Sequence, residues 1–167
     1  MTVEEFCTDL NARLVALPSR EAKLETAAKS LWQVFSVKTD EVAIYSLDKR
    51  FDSLQFLWPK KLQSAGSVPL TAHNSLVALT ARERKCYLDN SFATTAHLFI
   101  FERFRLDLSG GVPIQKIMSA PMIAGDDVVG VVQVSRKGES RESSGEDFTP
   151  ANLALLSRLA AIIVGIL

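Results

Sequence analysis

Two strands near the end of the chain limit most strongly what it can fold into. Lys116 to Ala124 and Val128 to Ser135 are rich in branched apolar residues, and Gly125-Asp126-Asp127 between them has the composition of a tight turn. The second strand has valines on both of its faces, which is typical of a strand covered by protein on both sides. The sequence therefore predicts a sheet with a further layer packed against each face.

Helical patterns stand before and after these strands. Over residues 3–17 and 24–35, apolar residues recur every three or four positions, as they do on the buried side of an amphipathic helix. Thr149 followed by Pro150 is a typical helix start. From there to Leu167 the apolar residues keep a heptad-like spacing. The chain is thus expected to begin and end with helix.

The middle of the chain carries shorter signals. Residues 42–47 and 54–58 are predicted to form two strands of a hairpin, and residues 86–88 a brief strand. Asn74 is predicted to cap a short helix. Residues 92–108 have apolar side chains around more than one face, so their pattern decides no single structure. Terminal helices on one face of the sheet, and the middle of the chain on the other, satisfy all these signals.

Composition excludes several classes of function. The 19 basic and 19 acidic residues cancel and form no basic stripe, so we expect no nucleic-acid partner. The most apolar stretch, residues 159–167, is far shorter than the roughly 20 residues that cross a bilayer, so we expect no membrane association. Two distant cysteines and an acidic start without signal-peptide character favour a reduced, cytoplasmic protein.

Motifs for catalysis and metal binding are missing from the sequence. It contains no glycine-rich phosphate loop, no GxSxG or HExxH motif and no paired cysteines, and it has only two histidines. We therefore predict that the chain is not an enzyme and binds no metal. The sequence identifies no cofactor.

Residues 118–135 resemble a stretch of GAF domains, in which a strand with a proline and a short acidic turn precedes an apolar residue, a glycine and a second strand. Pro121, the Gly125-Asp126-Asp127 turn and Gly130 stand at those places here. Phe148-Thr149-Pro150 at the start of the last helix is also similar. A weaker likeness extends over about residues 20 to 167.

This resemblance implies an α/β (α+β) fold with a GAF-like central antiparallel sheet of about five to six strands. The terminal helices would pack on one face, and short helices and loops would cover the other. Residues 1–36 would form an N-terminal helical segment and 37–167 the GAF-like domain, together one structural unit. The resemblance also implies a ligand cavity between the sheet and residues of roughly 71 to 108, and hence a sensory or regulatory domain that binds a small molecule.

Seven side chains are predicted to line that cavity: Trp58, Ser75, Cys86, Phe92, His97, Phe101 and Met118. His97 could offer a hydrogen bond to a polar ligand group, although a partly exposed or locally satisfied histidine without a ligand role is the preferred interpretation. Cyclic-nucleotide GAF domains carry a dispersed Asn-Lys-Phe-Asp-Glu signature. Arg136-Lys137, Phe148 and Asn152 match it only in part, so such a ligand is one possibility among several.

Cys86 raises a different hypothesis, a small thiol-dependent redox enzyme. Some GAF relatives attach a chromophore to a cysteine or reduce free methionine sulfoxide with clustered cysteines. Here Tyr87 follows Cys86, where the chromophore-binding relatives have a histidine, and Cys7 is predicted to lie on a remote helix. An inert thiol that packs as a small apolar residue is therefore the preferred interpretation.

The terminal helices are predicted to hold a homodimer together through one apolar seam, formed by Leu10, Leu14, Leu153, Leu156 and Ile163. Ligand binding at the sheet would then shift these helices and relay a signal. A single wide buried face in a monomer explains the same pattern, and a ligand-free dimerisation scaffold is the alternative function. The sequence identifies neither the ligand nor an output domain or pathway.

Overall fold

The computed structural model describes residues 1–95 and 112–167. Its helices and strands, in chain order, are α1 (Val3–Ala16), α2 (Arg20–Val34), β1 (Val42–Asp48), β2 (Ser53–Trp58), β3 (Ser67–Pro69), α3 (Leu76–Glu83), β4 (Tyr87–Asp89), α4 (Phe92–Thr95), β5 (Ile114–Ala124), β6 (Asp127–Lys137) and α5 (Pro150–Ile163). Within these described residues, single turns of 3-10 helix lie at Thr39–Glu41, Lys60–Leu62 and Val164–Ile166.

The described strands form one antiparallel sheet of six strands, in the order β3-β2-β1-β6-β5-β4. β5 and β6 are its longest strands, with 11 residues each, and they pair along almost their whole length. They lie side by side between β1 and the edge strand β4. The predicted α+β fold with a central antiparallel sheet is confirmed.

The long helices each begin at a side chain that caps the first turn. Thr2 and Thr149 each form a capping box, with Glu5 and Asn152 respectively, and such a box satisfies two backbone donors of the first turn. Ser19 caps α2 by accepting a hydrogen bond from the backbone of Ala22. At α3 the prediction of Asn74 is wrong by one residue, because the hydroxyl of Ser75 accepts the hydrogen bond from Ala78 N at 3.2 Å.

The sheet separates two clusters of buried side chains. α1, α2 and α5 cover one side, called here the helix face, where the cluster includes Leu10, Leu31 and Leu156. α3 and α4 cover the other side, called the α3 face, where Tyr45 and Phe92 are buried. As predicted, β6 contributes to both: Val132 and Val134 belong to the helix-face cluster and Val131 to the α3-face cluster. Among the described residues, no helix is both long and apolar enough to cross a membrane.

Gly130 allows the end of the chain to pack closely on β6. A side chain at this position would collide with the backbone carbonyl oxygen of Tyr45, and its Cβ would lie 2.9 Å from Cδ1 of Leu167. Only glycine leaves room for such a close approach of backbone and side chain. This contact fixes the last residue of the chain against the centre of the sheet.

Candidate functional site

Four buried polar side chains form a continuous hydrogen-bonded chain on the α3 face. The hydroxyl of Tyr45 donates to Oε1 of Gln133 at 3.1 Å, and Nε2 of Gln133 donates to Oγ of Ser119 at 3.2 Å. The hydroxyls of Ser119 and Thr80 lie 2.7 Å apart. Because Thr80 donates to the carbonyl of Leu76 at 2.8 Å, Ser119 must be the donor to Thr80. We call these four residues the buried polar chain.

The register of the sheet brings these residues together. Gln133 of β6 lies directly opposite Ser119 of β5, so both side chains leave the same face of the sheet. Tyr45 stands on the neighbouring strand, β1, which pairs with the other edge of β6. Thr80 reaches the sheet from α3, above Ser119. The buried polar chain therefore joins three neighbouring strands to the helix that covers them.

The buried polar chain is sealed from solvent. Each of its four side chains is at most 1% exposed. Phe56, Val77 and Ile117 belong to the apolar cluster of the same face, and the ring centroid of Phe56 lies 4.6 Å from that of Tyr45. Buried polar groups are costly unless they are hydrogen-bonded, and removal of one partner leaves the others unsatisfied. Because these four side chains are buried, their hydrogen bonds are needed to offset the cost of removing polar groups from water.

A second set of polar contacts ties the segment after β4 to the start of α5. The side chain of Asn90 binds the backbone of Phe148 twice, accepting from its N–H at 2.8 Å and donating to its carbonyl at 2.9 Å. Arg141 donates to Ser91 Oγ at 3.1 Å and to Asp147 at 2.6 Å. The residues just before α4 and just before α5 are therefore held together.

Asp147 is the charged centre of this connection. One carboxylate oxygen pairs with Arg141, and the other lies 2.9 Å from Nζ of Lys116, whose side chain is buried and also donates to the carbonyl of Gly145. The hydrogen bonds from Arg141 and then from Lys116 lower the pKa of Asp147 from 3.8 to about 2. The ionised carboxylate of Asp147 neutralises the buried side chain of Lys116.

Comparisons with known proteins identify the family. Residues 19–167 match the family model of the GAF domain. The chain belongs to the GAF domain family. No curated protein sequence is significantly similar to it.

Solved structures of GAF domains share the fold at low sequence identity. The chain is similar to the GAF domain of a phosphoenolpyruvate-protein phosphotransferase from Acinetobacter, with a TM-score of 0.76 and 18% identity over 97% of this chain and 90% of that one. A GAF domain from the corresponding protein of Coxiella burnetii gives a TM-score of 0.77 and 11% identity over 98% and 90%. The free methionine-R-sulfoxide reductase of Neisseria meningitidis, solved with its substrate, gives 0.66 and 14% over 98% and 87%.

In this GAF domain the residues predicted to line a cavity are divided between the two faces of the sheet. Ser75 and Phe92 lie on the α3 face, where both are fully buried. Trp58, Cys86 and Met118 pack with the helix-face cluster instead. The prediction that these five residues line one cavity is therefore wrong. His97 and Phe101 lie outside the described residues.

Local backbone geometry explains the misplaced residues. A β-bulge between β1 and β2 sets Trp58 opposite Ile44 but Phe56 opposite Tyr45, so that Leu57 is the extra residue. Trp58 consequently turns to the helix face, with its ring centroid 6.1 Å from that of Trp32. Met118 directly precedes Ser119 on β5, and neighbouring residues of a strand point to opposite faces of the sheet. Met118 therefore lies on the helix face, whereas Ser119 lies on the α3 face.

The buried polar chain was not predicted from the sequence. Its strongest signal is Gln133 within a run of valines, together with Ser119 in the apolar strand before it. Strand alternation places each of them on one face of its strand, but the sequence gives no register between the strands. The partners of Tyr45 and Thr80 depend on that register and on the position of α3.

The residues predicted to hold a dimer together are mostly buried within the chain itself. Leu10, Leu14, Leu156 and Ile163 are at most 4% exposed and belong to the helix-face cluster, while Leu153 is half-buried. α1 packs against α5 and α2, and α5 packs against β5 of the chain's own sheet, so the four buried side chains are unavailable to a partner. Their heptad-like spacing reflects an intramolecular core.

The residues that partly match the cyclic-nucleotide signature have structural contacts in this domain. The guanidinium of Arg136 lies 4.8 Å above the ring of Phe148 and donates to the carbonyls of Phe35 and Ser36. Asn152 completes the capping box of α5. Arg136, Phe148 and Asn152 thus hold the β6–α5 connection in place on the helix-face side.

Proposed function

We propose that this GAF domain is a regulatory sensor, which binds a small polar molecule against the α3 face and relays binding to its terminal helices. The observation that carries the proposal is the buried polar chain. A core needs no such groups, because replacing both partners of a buried hydrogen bond by apolar residues of the same shape is often nearly neutral. Side chains that offer hydrogen-bond donors and acceptors are what a polar ligand requires.

The contact between Ser119 and Thr80 is the proposed point of ligand insertion. It is the link of the buried polar chain that joins the sheet to α3, and α3 is a helix of only eight residues. A ligand that supplies one donor and one acceptor would replace this contact without leaving either hydroxyl unsatisfied. The domain would exchange a closed state for a ligand-bound state in which α3 is displaced from β5.

Two connections support a relay from this face to α5. β5 carries Ser119 on the α3 face, and its opposite face, with Met118 and Ala120, packs against α5. In addition, Asn90 holds the backbone of Phe148, directly before the cap of α5. A change in β5 or in the segment after β4 would reach the same helix. We propose that displacement of α5 is the output of the domain.

A homodimer remains part of the proposal, through residues other than the predicted seam. Met1, Val3, Phe6, Val34 and Leu155 line an open groove of about 160 Å³ between α1, α2 and α5. Met1 and Val3 are exposed. Native mass spectrometry at several concentrations tests this: a dimer that Val3→Asp converts to monomer supports it, whereas a monomer at every concentration contradicts it.

We further propose that the chain is not an enzyme, although it shares its fold with the free methionine-R-sulfoxide reductases. Cys86 is half-buried and packs with the helix-face cluster, on the side of the sheet away from the buried polar chain. We expect no formation of free methionine when the protein is incubated with free methionine-R-sulfoxide and a thiol reductant. Turnover that disappears in Cys86→Ser would establish the redox enzyme instead.

Ligand binding is tested by a thermal-shift screen with small polar metabolites. A ligand at 100 times its Kd stabilises the folded state by about 2.7 kcal/mol, which is easily measured. We expect Ser119→Ala to abolish the shift. Ser30→Ala is the matched control, because Ser30 is also buried but lies on α2 and donates to the backbone of Thr26. An equal shift in both variants would remove the α3 face as the site, and no shift with any compound would favour the dimerisation scaffold.

A further inference from the structure

A cavity of about 360 Å³ opens on the helix-face side, between the start of α2 and the end of β2. Its lining consists of Arg20, Glu21 and Leu24 from α2, Leu57 from β2, and Lys60 and Gln63 from the segment that follows β2. Leu24 and Leu57 also pack with the helix-face cluster, so the cavity lies across the sheet from the buried polar chain. Its volume falls within the range of about 300–1,000 Å³ that is usual for small-molecule sites.

Only some of the charged side chains around this cavity are paired with one another. Nζ of Lys60 pairs with Glu21 at 2.5 Å, and both side chains are well exposed, at 46% and 72%. An exposed pair of this kind contributes little stability and opens readily. The guanidinium of Arg20 makes no hydrogen bond or ion pair with any residue in 1–95 and 112–167. Among the lining residues, two cations therefore face one carboxylate, and within the described residues the guanidinium of Arg20 is left without a partner.

The floor of the cavity is apolar. Leu24 is only 6% exposed, and Leu57 is the extra residue of the β-bulge, which directs it to the same side as Trp58. A cavity with an apolar base and cations at its rim suits a molecule that has an apolar part and an anionic part. The ligand would have a short hydrocarbon body and one anionic group.

We propose that this cavity binds a small amphiphilic carboxylate. The planar guanidinium of Arg20 matches a carboxylate with two parallel hydrogen bonds, and Lys60 adds a second cation once it separates from Glu21. The hydrocarbon body lies on Leu24 and Leu57. Glu21 opposes the ligand, because it competes for Lys60 and repels the incoming carboxylate. The site is independent of the ligand proposed for the α3 face.

Hexanoate is a suitable probe, and the amide NMR spectrum of the whole chain reports where it binds. We expect saturable shifts confined to residues 20–24 and 57–63, with a Kd of about 1 mM or tighter. Acetate lacks the hydrocarbon body and hexanol lacks the charge, so both should bind at least about tenfold more weakly. Absence of saturable shifts with hexanoate, or equal binding of hexanol, overturns the proposal.

Exposed side chains allow variants that keep the fold, which circular dichroism verifies. Arg20→Gln should weaken hexanoate binding about tenfold or more, whereas Glu21→Gln should strengthen it. Lys29→Gln is the matched control, since it removes one exposed cation from the same helix, outside the cavity. If Arg20→Gln and Lys29→Gln weaken binding equally, the effect is general electrostatics and the assigned site is wrong. If Glu21→Gln weakens binding, the assigned roles are wrong.

Discussion

The two faces of the sheet bury side chains of different kinds, although the same strands supply both. Along β6, Val132 and Val134 enter an apolar cluster on the helix face, while Gln133 between them joins the buried polar chain on the α3 face. On β5, Met118 and Ala120 flank Ser119 in the same way. On the helix face these strand residues are apolar and pack as an ordinary core. The α3 face keeps polar groups that stability does not require, and this contrast favours the α3 face as the site of recognition.

The contrast predicts its largest effect on the helix face. Leu156→Ala should lower the free energy of unfolding by about 2–5 kcal/mol, because a fully buried leucine leaves a cavity when it is truncated. Urea denaturation measures this value. The loss should be the same at every protein concentration, since Leu156 packs within the chain. A loss that grows on dilution would restore Leu156 as a dimer contact and contradict the intramolecular core.

A smaller effect is expected from the α3 face. Gln133→Leu should cost about 1–3 kcal/mol, because it removes the hydrogen bonds that Gln133 makes with the hydroxyls of Tyr45 and Ser119 in a dry environment. Adding Tyr45→Phe should recover part of that loss, since both ends of the bond are then apolar. The measurement is a double-mutant cycle by urea denaturation. Additive losses would show that the side chains of Tyr45 and Gln133 are not coupled. That result would contradict the first hydrogen bond of the buried polar chain.

The connection between the two faces should appear as a pH dependence. The pKa of Asp147 is lowered to about 2 in the folded protein from 3.8, so its ionised form stabilises the fold above pH 3.8 and this contribution is lost as the pH falls toward 2. We therefore expect wild type to lose more stability than Asp147→Asn over that interval, measured by thermal unfolding at fixed ionic strength. Parallel pH profiles for the two proteins would contradict the role given to Asp147.

The sequence predicted the layers of the molecule better than it predicted the site. The helix start at Thr149 and the valine run of β6 are local signals, and each was confirmed. Which side of a strand faces which layer is not local. It depends on register, and a shift of one residue moves every side chain to the other face. Met118 was therefore assigned to the α3 face, although its neighbour Ser119 occupies it.

The β-bulge after Ile44 had no signal in the sequence. Strict alternation from Phe56 would place Trp58 on the α3 face, as predicted, but the extra residue Leu57 reverses it. The same bulge directs Leu57 toward the proposed carboxylate cavity. Because the bulge could not be predicted, neither the packing of Trp58 on the helix face nor the place of Leu57 in the floor of the cavity could be predicted.

The smallest predicted effect tests that reversed tryptophan. Nε1 of Trp58 is buried and has no hydrogen-bond partner in residues 1–95 and 112–167. Trp58→Phe removes the unsatisfied donor, which returns roughly 1–3 kcal/mol of desolvation cost, but it also removes apolar area and contact with Trp32, which costs a similar amount. We expect a net change within about 1 kcal/mol by urea denaturation. If Trp58 lay on the α3 face, the same replacement would disturb the proposed ligand binding. An altered thermal shift with ligand in Trp58→Phe would therefore place Trp58 at the proposed ligand site and weaken the contrast between the two faces.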